Sequence, residues 1–128
     1  MHYRIGTRGS KLALVQTEYV KRRMEEAYPE DTFELVIIKT TGDKVTDKPL
    51  AAIGTKGLFV KEIEEALLSG NIDMAVHSMK DMPAECATGL TFAKAWKRED
   101  CRDVLILKTA GSFSELPSGA VIGTGSLR

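Results

Sequence analysis

The residues best suited to chemistry lie in one short segment, residues 73–83, which reads DMAVHSMKDMP. An apolar stretch there runs directly into a hydroxyl, an ammonium and a carboxylate, which come from Ser78, Lys80 and Asp81. In open α/β sheets, ligands bind just beyond the carboxyl ends of strands, where these side chains would lie. For each residue alone, an ordinary turn in which Ser or Asp bonds to nearby backbone is the better interpretation. The three groups together, followed by Pro83, favour a site.

Asp81 is the carboxylate that we expect to carry the chemistry. Beside Lys80 at a strand end, it can accept or donate a proton and can balance a developing positive charge. His77 is the alternative acid–base group, but it continues the alternation of Ala75 and is at least as compatible with a packed, hydrogen-bonded histidine. His77 is therefore left out of the predicted mechanism.

A second polar group lies where the first predicted strand meets the first predicted helix. The sequence Thr7-Arg8-Gly9-Ser10 places free backbone N–H groups at a helix N-terminus, and Arg8 adds a planar fork suited to carboxylate or phosphate. Many helices begin in this way without a ligand. The sequence thus predicts a place where an anion can bind.

Residues 40–57 are rich in glycine and lysine, which favours a functional lid over an ordinary surface connection. The part from about residue 43 to residue 56 is predicted to be poorly ordered without substrate, because it offers few packing contacts. Its sequence around Lys56, GTKG, lacks the full spacing of a phosphate-binding loop.

Strands and helices alternate along the chain, which predicts an α/β fold. The predicted strands are residues 3–6, 33–39, 73–76, 91–96, 104–107 and 120–122. The apolar run at residues 35–38 is typical of a strand that is covered on both faces. One helix begins at the N-cap Ser10 and ends at Pro29, and a second helix stops at Gly70.

Composition excludes several classes of protein. A length of 128 residues suits one ordinary domain, and 43% hydrophobic with 28% charged residues is typical of globular proteins. Eighteen basic residues balance eighteen acidic ones, which argues against a dedicated nucleic-acid binder. No apolar run is long enough for a transmembrane helix, and the N-terminus has no signal-peptide pattern, so the cytoplasm is the expected location. Cys86 and Cys101 lack the paired spacing of a zinc site, and no metal site is predicted.

A short repeat predicts the start of a second domain. The sequence IGTRGS of residues 5–10 returns in gapped form as IGTGSL at residues 122–127, each time where a strand would enter a helix. Coincidence stays open, since strand-to-helix turns favour these residue types. The second copy stops at Arg128, so we interpret the chain as a fragment. Residues 1–99 would form a first α/β domain, and residues 100–128 a hinge and the truncated beginning of a second.

Four segments resemble the porphobilinogen deaminase family, also called hydroxymethylbilane synthases, and together the resemblance covers essentially the whole chain. The segments are residues 4–14, 57–62, 75–83 and 123–128. The third segment, AVHSMKDMP, is the most specific. The resemblance implies a three-domain enzyme whose first two domains are three-layer α/β sandwiches of the type II periplasmic-binding-protein kind. It also implies head-to-tail joining of four porphobilinogen molecules, with release of ammonia, to give the linear tetrapyrrole hydroxymethylbilane of porphyrin and haem biosynthesis.

The resemblance also implies a cofactor and roles for individual residues. The cofactor is a dipyrromethane primer, bound covalently through a cysteine of a third domain. Asp81 would be the catalytic carboxylate, which handles protons and stabilises cationic pyrroles. The residues that would hold the acetate and propionate groups of primer and substrate are Arg8, Ser10, Lys56, Ser78 and Lys80. The cofactor-binding turn of the second domain would contain Thr124, Ser126 and Arg128.

Departures from the family pattern limit what this chain is expected to do alone. Gly125 stands where the family usually has a second serine, and Cys101 stands at a usual proline position and is not the cofactor cysteine. By itself the chain is expected to carry no primer, to be inactive, and either to self-associate through residues after about Asp100 or to leave them mobile. The full-length protein is expected to be a monomer that binds porphobilinogen and the growing pyrrole chain, without nucleic acid or membrane.

Two other functions stay open from the residues alone. The fold also suits a non-catalytic solute- or anion-binding module, although such proteins are usually exported and Asp81 would repel an anion. The third candidate is a phosphate-binding enzyme built on the glycine-containing loops.

Overall fold

The computed structural model of the protein describes residues 1–44, 57–108 and 111–125. The chain divides into two units, Met1–Lys94 and Ala95–Arg128. The elements of the first unit are β1 (His2–Thr7), α1 (Lys11–Ala27), β2 (Thr32–Ile37), α2 (Thr41–Lys44), α3 (Lys61–Leu68) and β3 (Met74–Ala75). A 3-10 helix at Met79–Asp81 follows β3, and another, at Phe113–Glu115, lies in the second unit.

The first unit is built on a parallel sheet of three strands in the order β2-β1-β3. In the central strand β1, Ile5 pairs in register with Leu35 on one side and with Met74 on the other. Parallel neighbours need a crossover connection. Along the chain, α1 follows β1 and precedes β2, and α3 follows β2 and precedes β3. The prediction of an α/β fold is thus confirmed.

The apolar core lies against β1. Ile5 is fully buried there, and the other buried apolar residues within the described ranges are Phe33, Val60, Ile63 and Ile72. The next residue, Gly6, faces the opposite side of the sheet. Gly6 allows a close approach of Ile72, because a Cβ atom at Gly6 would lie 2.3 Å from Cδ1 of Ile72. The middle of β1 is therefore fixed by packing, and the residues that follow the strand inherit a defined position.

The first helix is held at its N-terminus and against β1. The Ser10 side chain accepts a hydrogen bond from the Ala13 N–H at 3.3 Å, which confirms the predicted N-cap. The Thr17 hydroxyl donates to Oγ1 of Thr7 at 2.7 Å, and both residues are fully buried. This contact ties α1 to the carboxyl end of β1, immediately before Arg8.

The predicted stop at Gly70 is also confirmed, and it has the geometry of a Schellman motif. The Gly70 N–H donates to the Leu67 carbonyl at 3.1 Å, and the Asn71 N–H donates to the Ala66 carbonyl at 2.9 Å. Gly70 has a φ of 71°, a backbone conformation that side chains disfavour. The chain is thereby turned from α3 towards β3.

Several predicted strands are wrong. Residues 91–96, 104–107 and 120–122 contain no strand, and within the described ranges their backbones make no hydrogen bond to a neighbouring strand. Apolar sequence forms a strand only where a neighbour completes the hydrogen-bond ladder. The prediction that residues 35–38 are covered on both faces is wrong as well, because the side chain of Ile37 is exposed.

The second unit is described for residues 95–108 and 111–125, where its one regular element is the 3-10 helix at Phe113–Glu115. Most of its large apolar side chains in these ranges, among them Val104 and Val121, are exposed. The second copy of the repeat lies only partly in this range. The predicted domain boundary at residue 99 stays a prediction. Over all described residues, none of the helices is both long and apolar enough to cross a membrane.

Candidate active site

A cavity lies where the chain leaves β1 and β3. Arg8 directly follows β1, Ser10 begins α1, and residues 76–81 follow β3. Because β1 and β3 are parallel neighbours, both stretches emerge at the same edge of the sheet. The predicted site residues that line the cavity are Arg8, Ser10, Ser78, Lys80 and Asp81. The structure thus brings together five residues from two distant parts of the sequence.

The remaining predicted site residues are Lys56, Thr124, Ser126 and Arg128. Thr124 lies in the second unit. Lys56, Ser126 and Arg128 lie outside the described residues. Most of the segment that is predicted to be poorly ordered, about residues 43–56 of the predicted lid, lies outside them too, so its expected poor order stays a prediction.

Asp81 is placed by the short turn after β3. Its backbone N–H donates to the Ser78 carbonyl at 3.0 Å, which forms the 3-10 helix Met79–Asp81. Its Oδ1 lies 3.0 Å from Nζ of Lys80, and the two side chains are 19% and 73% exposed. Since the ammonium stays largely in water, this ion pair is weak. The arrangement is a shielded carboxylate with one loosely held cation beside it.

Gln16 is a residue of the cavity that the sequence analysis missed. The Ser78 hydroxyl donates to Oε1 of Gln16 at 2.8 Å, so α1 and the turn after β3 are joined across the cavity. The only signal in the sequence was its place four residues after Leu12, which also lines the cavity. A single glutamine on a helix is indistinguishable from a solvated one before the packing of the helix is known.

Arg8 is held by a residue that sequence reasoning also missed. Its Nη2 lies 2.5 Å and its Nε 3.1 Å from Oδ1 of Asp43, at the end of α2. The guanidinium carbon lies 4.0 Å from the centroid of the Phe59 ring. Burial by itself would raise the pKa of Asp43, but hydrogen bonds from Arg8 and Thr40 outweigh it and hold that pKa below its usual value.

His77 lines the cavity but is tied to the fold. Its Nε2 lies 2.9 Å from the Phe59 carbonyl oxygen, which can only accept, so this nitrogen carries the proton. The ring is half-buried. This geometry agrees with the interpretation of His77 as a packed, hydrogen-bonded histidine.

The part of the chain that the structure describes contains no group of three or more His, Cys, Asp or Glu side chains that could hold a metal ion. Cys86 and Cys101 are free thiols.

The cavity combines cationic and hydroxyl donors with one carboxylate. Arg8 and Lys80 suit the carboxylate groups of a ligand, and Asp81 suits a positive charge that develops on it. The volume is about 60 Å³, well below the roughly 300–1,000 Å³ of common ligand pockets. A ligand of pyrrole size would therefore extend beyond these walls.

Comparison with known proteins identifies one family. The family described as porphobilinogen deaminase, dipyromethane cofactor binding domain, matches residues 3–128. The chain is 97% identical over all its 128 residues to the porphobilinogen deaminase of Lachnospira eligens. It is 60% identical over 125 residues, 98% of the chain, to that of Syntrophus aciditrophicus, and 59% identical over 129 aligned positions, 100% of the chain, to that of Clostridioides difficile. The chain spans 43%, 41% and 43% of the lengths of these relatives.

The family match covers almost the whole chain, and nothing in the comparisons supports a solute-binding module or a phosphate-binding enzyme instead. The chain belongs to the porphobilinogen deaminase family.

Proposed function

We propose that the full-length protein containing these residues is a hydroxymethylbilane synthase. It joins four porphobilinogen molecules head to tail, releases one ammonia at each step, and supplies a linear tetrapyrrole for porphyrin and haem synthesis. The observation that carries the proposal is the meeting of Asp81 with Arg8, Ser78 and Lys80 in one cavity. This set of groups suits a substrate that carries carboxylates and becomes cationic as it reacts.

A dipyrromethane primer fits the donors of the cavity. Its acetate and propionate groups need cationic and hydroxyl partners, which Arg8, Lys80, Ser10 and Ser78 offer. We further propose that Lys56 is one of these donors, and that Thr124, Ser126 and Arg128 of the second domain also bind the cofactor. When bound through a cysteine outside this chain, the primer supplies the pyrrole carbon to which the first porphobilinogen is joined.

Each condensation exchanges a C–N bond for a C–C bond. The bond between the aminomethyl carbon of porphobilinogen and its amino group breaks, and the amino group leaves as ammonia. The same carbon bonds to the free α-carbon of the acceptor pyrrole, which then loses its proton. Positive charge develops on the pyrrole rings in between, and the shielded Asp81 carboxylate can stabilise that charge and accept the proton.

We also propose the finer architecture and setting that the family resemblance implies. The first unit would be a three-layer domain of the type II periplasmic-binding-protein kind, and its parallel β2-β1-β3 sheet with intervening helices supports this. Residues 1–99 would form that domain and residues 100–128 the hinge and the start of the next. The full-length enzyme would act as a cytoplasmic monomer, on porphobilinogen and the growing pyrrole chain alone.

The test uses a hybrid enzyme of full length. The segment of the Lachnospira eligens enzyme that is 97% identical to this chain is exchanged for the chain itself. The purified hybrid enzyme should carry a dipyrromethane by intact mass. It should also release ammonia from porphobilinogen and form a product that oxidises to a porphyrin. A primer-loaded hybrid enzyme that gives neither ammonia nor porphyrin contradicts the proposal.

A further inference from the structure

The guanidinium of Arg8 is held along one edge only. Asp43 bonds to Nη2 and Nε of Arg8, at 2.5 Å and 3.1 Å from its Oδ1. The two side chains are 18% and 23% exposed, so the pair is largely withdrawn from water. Within residues 1–44, 57–108 and 111–125, no residue accepts a hydrogen bond from Nη1 of Arg8. Asp43 thus occupies the Nε–Nη2 edge of the fork, and none of these residues occupies the Nη1 edge at the cavity that Arg8 lines.

Asp43 is itself held in place by the buried residue Thr40. The Thr40 hydroxyl donates to Oδ2 of Asp43 at 2.8 Å, and the Thr40 backbone N–H donates to the same oxygen at 3.2 Å. Thr40 is fully buried. One carboxylate oxygen is therefore anchored to the backbone while the other faces Arg8, and Asp43 has little freedom to follow a moving guanidinium.

The short helix α2, which carries Asp43, is fixed to the beginning of α3. The Gly42 N–H donates to the Leu58 carbonyl at 2.8 Å. The Thr41 N–H and hydroxyl both donate to Oε1 of Glu62, at 2.8 Å and 2.5 Å. Gly42 leaves no space for a side chain, since a Cβ atom there would lie 2.1 Å from Cε1 of Phe59.

Phe59 contacts both the short helix α2 and the Arg8 side chain. Its ring packs against Gly42 of α2 and also carries the guanidinium of Arg8 on its face. Arg8 is therefore bounded by an aromatic face below and a carboxylate at one edge, both held by the same packed elements.

We propose that Asp43 is a positioning residue, which grips the Nε–Nη2 edge of Arg8 so that the Nη1 edge is presented to a carboxylate of the ligand. This inference rests on the proposed function, because it assigns that carboxylate to the acetate or propionate groups of porphobilinogen and the pyrrole chain. A long, flexible arginine that is ordered before binding loses less conformational entropy when the ligand arrives. The benefit is then in binding, and Asp43 need not touch the reacting atoms.

The expected signature is a change in KM. In the hybrid enzyme, Asp43→Ala should raise the KM for porphobilinogen by roughly tenfold, because ordering of Arg8 must then occur on binding. The value of kcat should change much less. Asp43→Asn, which keeps the size and one acceptor oxygen, should recover part of the loss. In a background of Arg8→Ala, Asp43→Ala should have no further effect on KM, because the residue acts through Arg8.

The matched control is the second aspartate–arginine pair of the first unit. Nη2 of Arg4 lies 2.9 Å from Oδ1 of Asp73, and neither residue lines the cavity. Asp73→Asn removes a comparable ion pair and should leave KM unchanged. An equal effect of both changes on KM would reduce Asp43 to a structural residue and would overturn the inference.

The direction of the change in KM for Asp43→Ala also tests the inference. A fall in KM for Asp43→Ala would mean that Asp43 competes with the ligand carboxylate for Arg8, which also overturns the inference. If the unmutated hybrid enzyme shows no turnover, porphobilinogen binding is measured by calorimetry. A Kd that rises in Asp43→Ala would then sustain the inference although the proposed function fails, whereas no binding at all contradicts both. An active enzyme with unchanged KM in Asp43→Ala contradicts the inference alone.

Discussion

The Asp81 carboxylate is shielded from solvent, but among the residues that the structure describes no buried cation neutralises its charge. Its side chain is mostly hidden from solvent, yet its cation, Lys80, is mostly in water. A carboxylate that is fully paired with a buried cation would have little charge left to offer a cationic substrate. The loose pairing with Lys80 leaves that charge available, which is the property that a pyrrole condensation needs.

The first prediction concerns the chemical identity of this group. In the hybrid enzyme, Asp81→Ala should lower kcat by about 100-fold or more, because it would remove both the charge stabilisation and the proton transfer that we propose for this carboxylate. Asp81→Glu should lose far less, since it keeps a carboxylate. Steady-state ammonia release measures both, and Ser78→Ala in the same cavity serves as a comparison. Equal, mild effects of both changes would move the catalytic role to another residue.

The second prediction concerns the pH dependence of stability at Asp73. Hydrogen bonds from the side chain and backbone of Arg4 lower the pKa of Asp73 from 3.8 to about 2. A carboxyl group with a lower pKa in the folded than in the unfolded state stabilises the fold above its unfolded pKa and loses this contribution as pH falls. The stabilisation by Asp73 should therefore be complete above about pH 4 and disappear towards pH 2.

Urea unfolding of the chain at low concentration, between pH 2 and pH 6, measures this effect. The difference in midpoint between the unmutated chain and Asp73→Asn should be largest near pH 6 and should shrink between pH 4 and pH 2. Two curves that stay parallel over the whole range would show that the Arg4 pair does not differ between the folded and unfolded chain.

At the scale of elements, the site depends on two turns that follow neighbouring strands. The entry to β3 is fixed by the Asp73 N–H, which donates to the Arg4 carbonyl at 2.9 Å. At the other end of β3, the Val76 N–H donates to the Gly6 carbonyl at 3.1 Å. The two-residue strand is thus held to β1 at both of its ends, and Ser78 and Asp81 follow it at a defined place.

The third prediction tests the turn that leads into β3. Gly70 has a φ of 71° and ends α3 with space around it. Gly70→Ala should destabilise the chain by about 1–2 kcal/mol, because a Cβ atom disfavours left-handed backbone. Gly123→Ala is the matched control, since Gly123 also lies in open space and has no positive φ. Free energies from urea unfolding should separate the two, and an equal small change would show that the strain at Gly70 is relieved by movement of the turn.

Features that depend on residues close together in the sequence could be predicted, whereas features that depend on distant residues could not. The N-cap at Ser10 and the stop at Gly70 were predictable because the residue and its partners are close in sequence. The strand predicted at residues 104–107 is wrong, because a strand depends on a neighbour that local sequence does not specify. The contact of Asp43 with Arg8 could not be predicted for a similar reason. The two residues are 35 positions apart, and they come together only because α2 packs on Phe59.

At the scale of the whole chain, the two units differ in how far their apolar side chains are buried. The first unit buries a core around Ile5. In the described part of the second unit, Val104, Ile106 and Val121 are 84%, 89% and 98% exposed. Monomeric proteins rarely leave such a concentration of apolar side chains in water, which makes this stretch the expected place of contact with another chain.

The last prediction is that the 128-residue chain, taken by itself, self-associates through this stretch. Light scattering should give a mass above that of a monomer. The double change Val104→Asp and Ile106→Asp should restore the monomer, because burying two new carboxylates without partners is costly. Val15→Asp is the control, since it places the same charge on an exposed apolar residue of α1. In the hybrid enzyme, the remaining sequence should cover these side chains, and a monomer is expected. If Val15→Asp dissociates the chain and the double change does not, contact occurs through α1, and the exposed side chains of the second unit play no part in it.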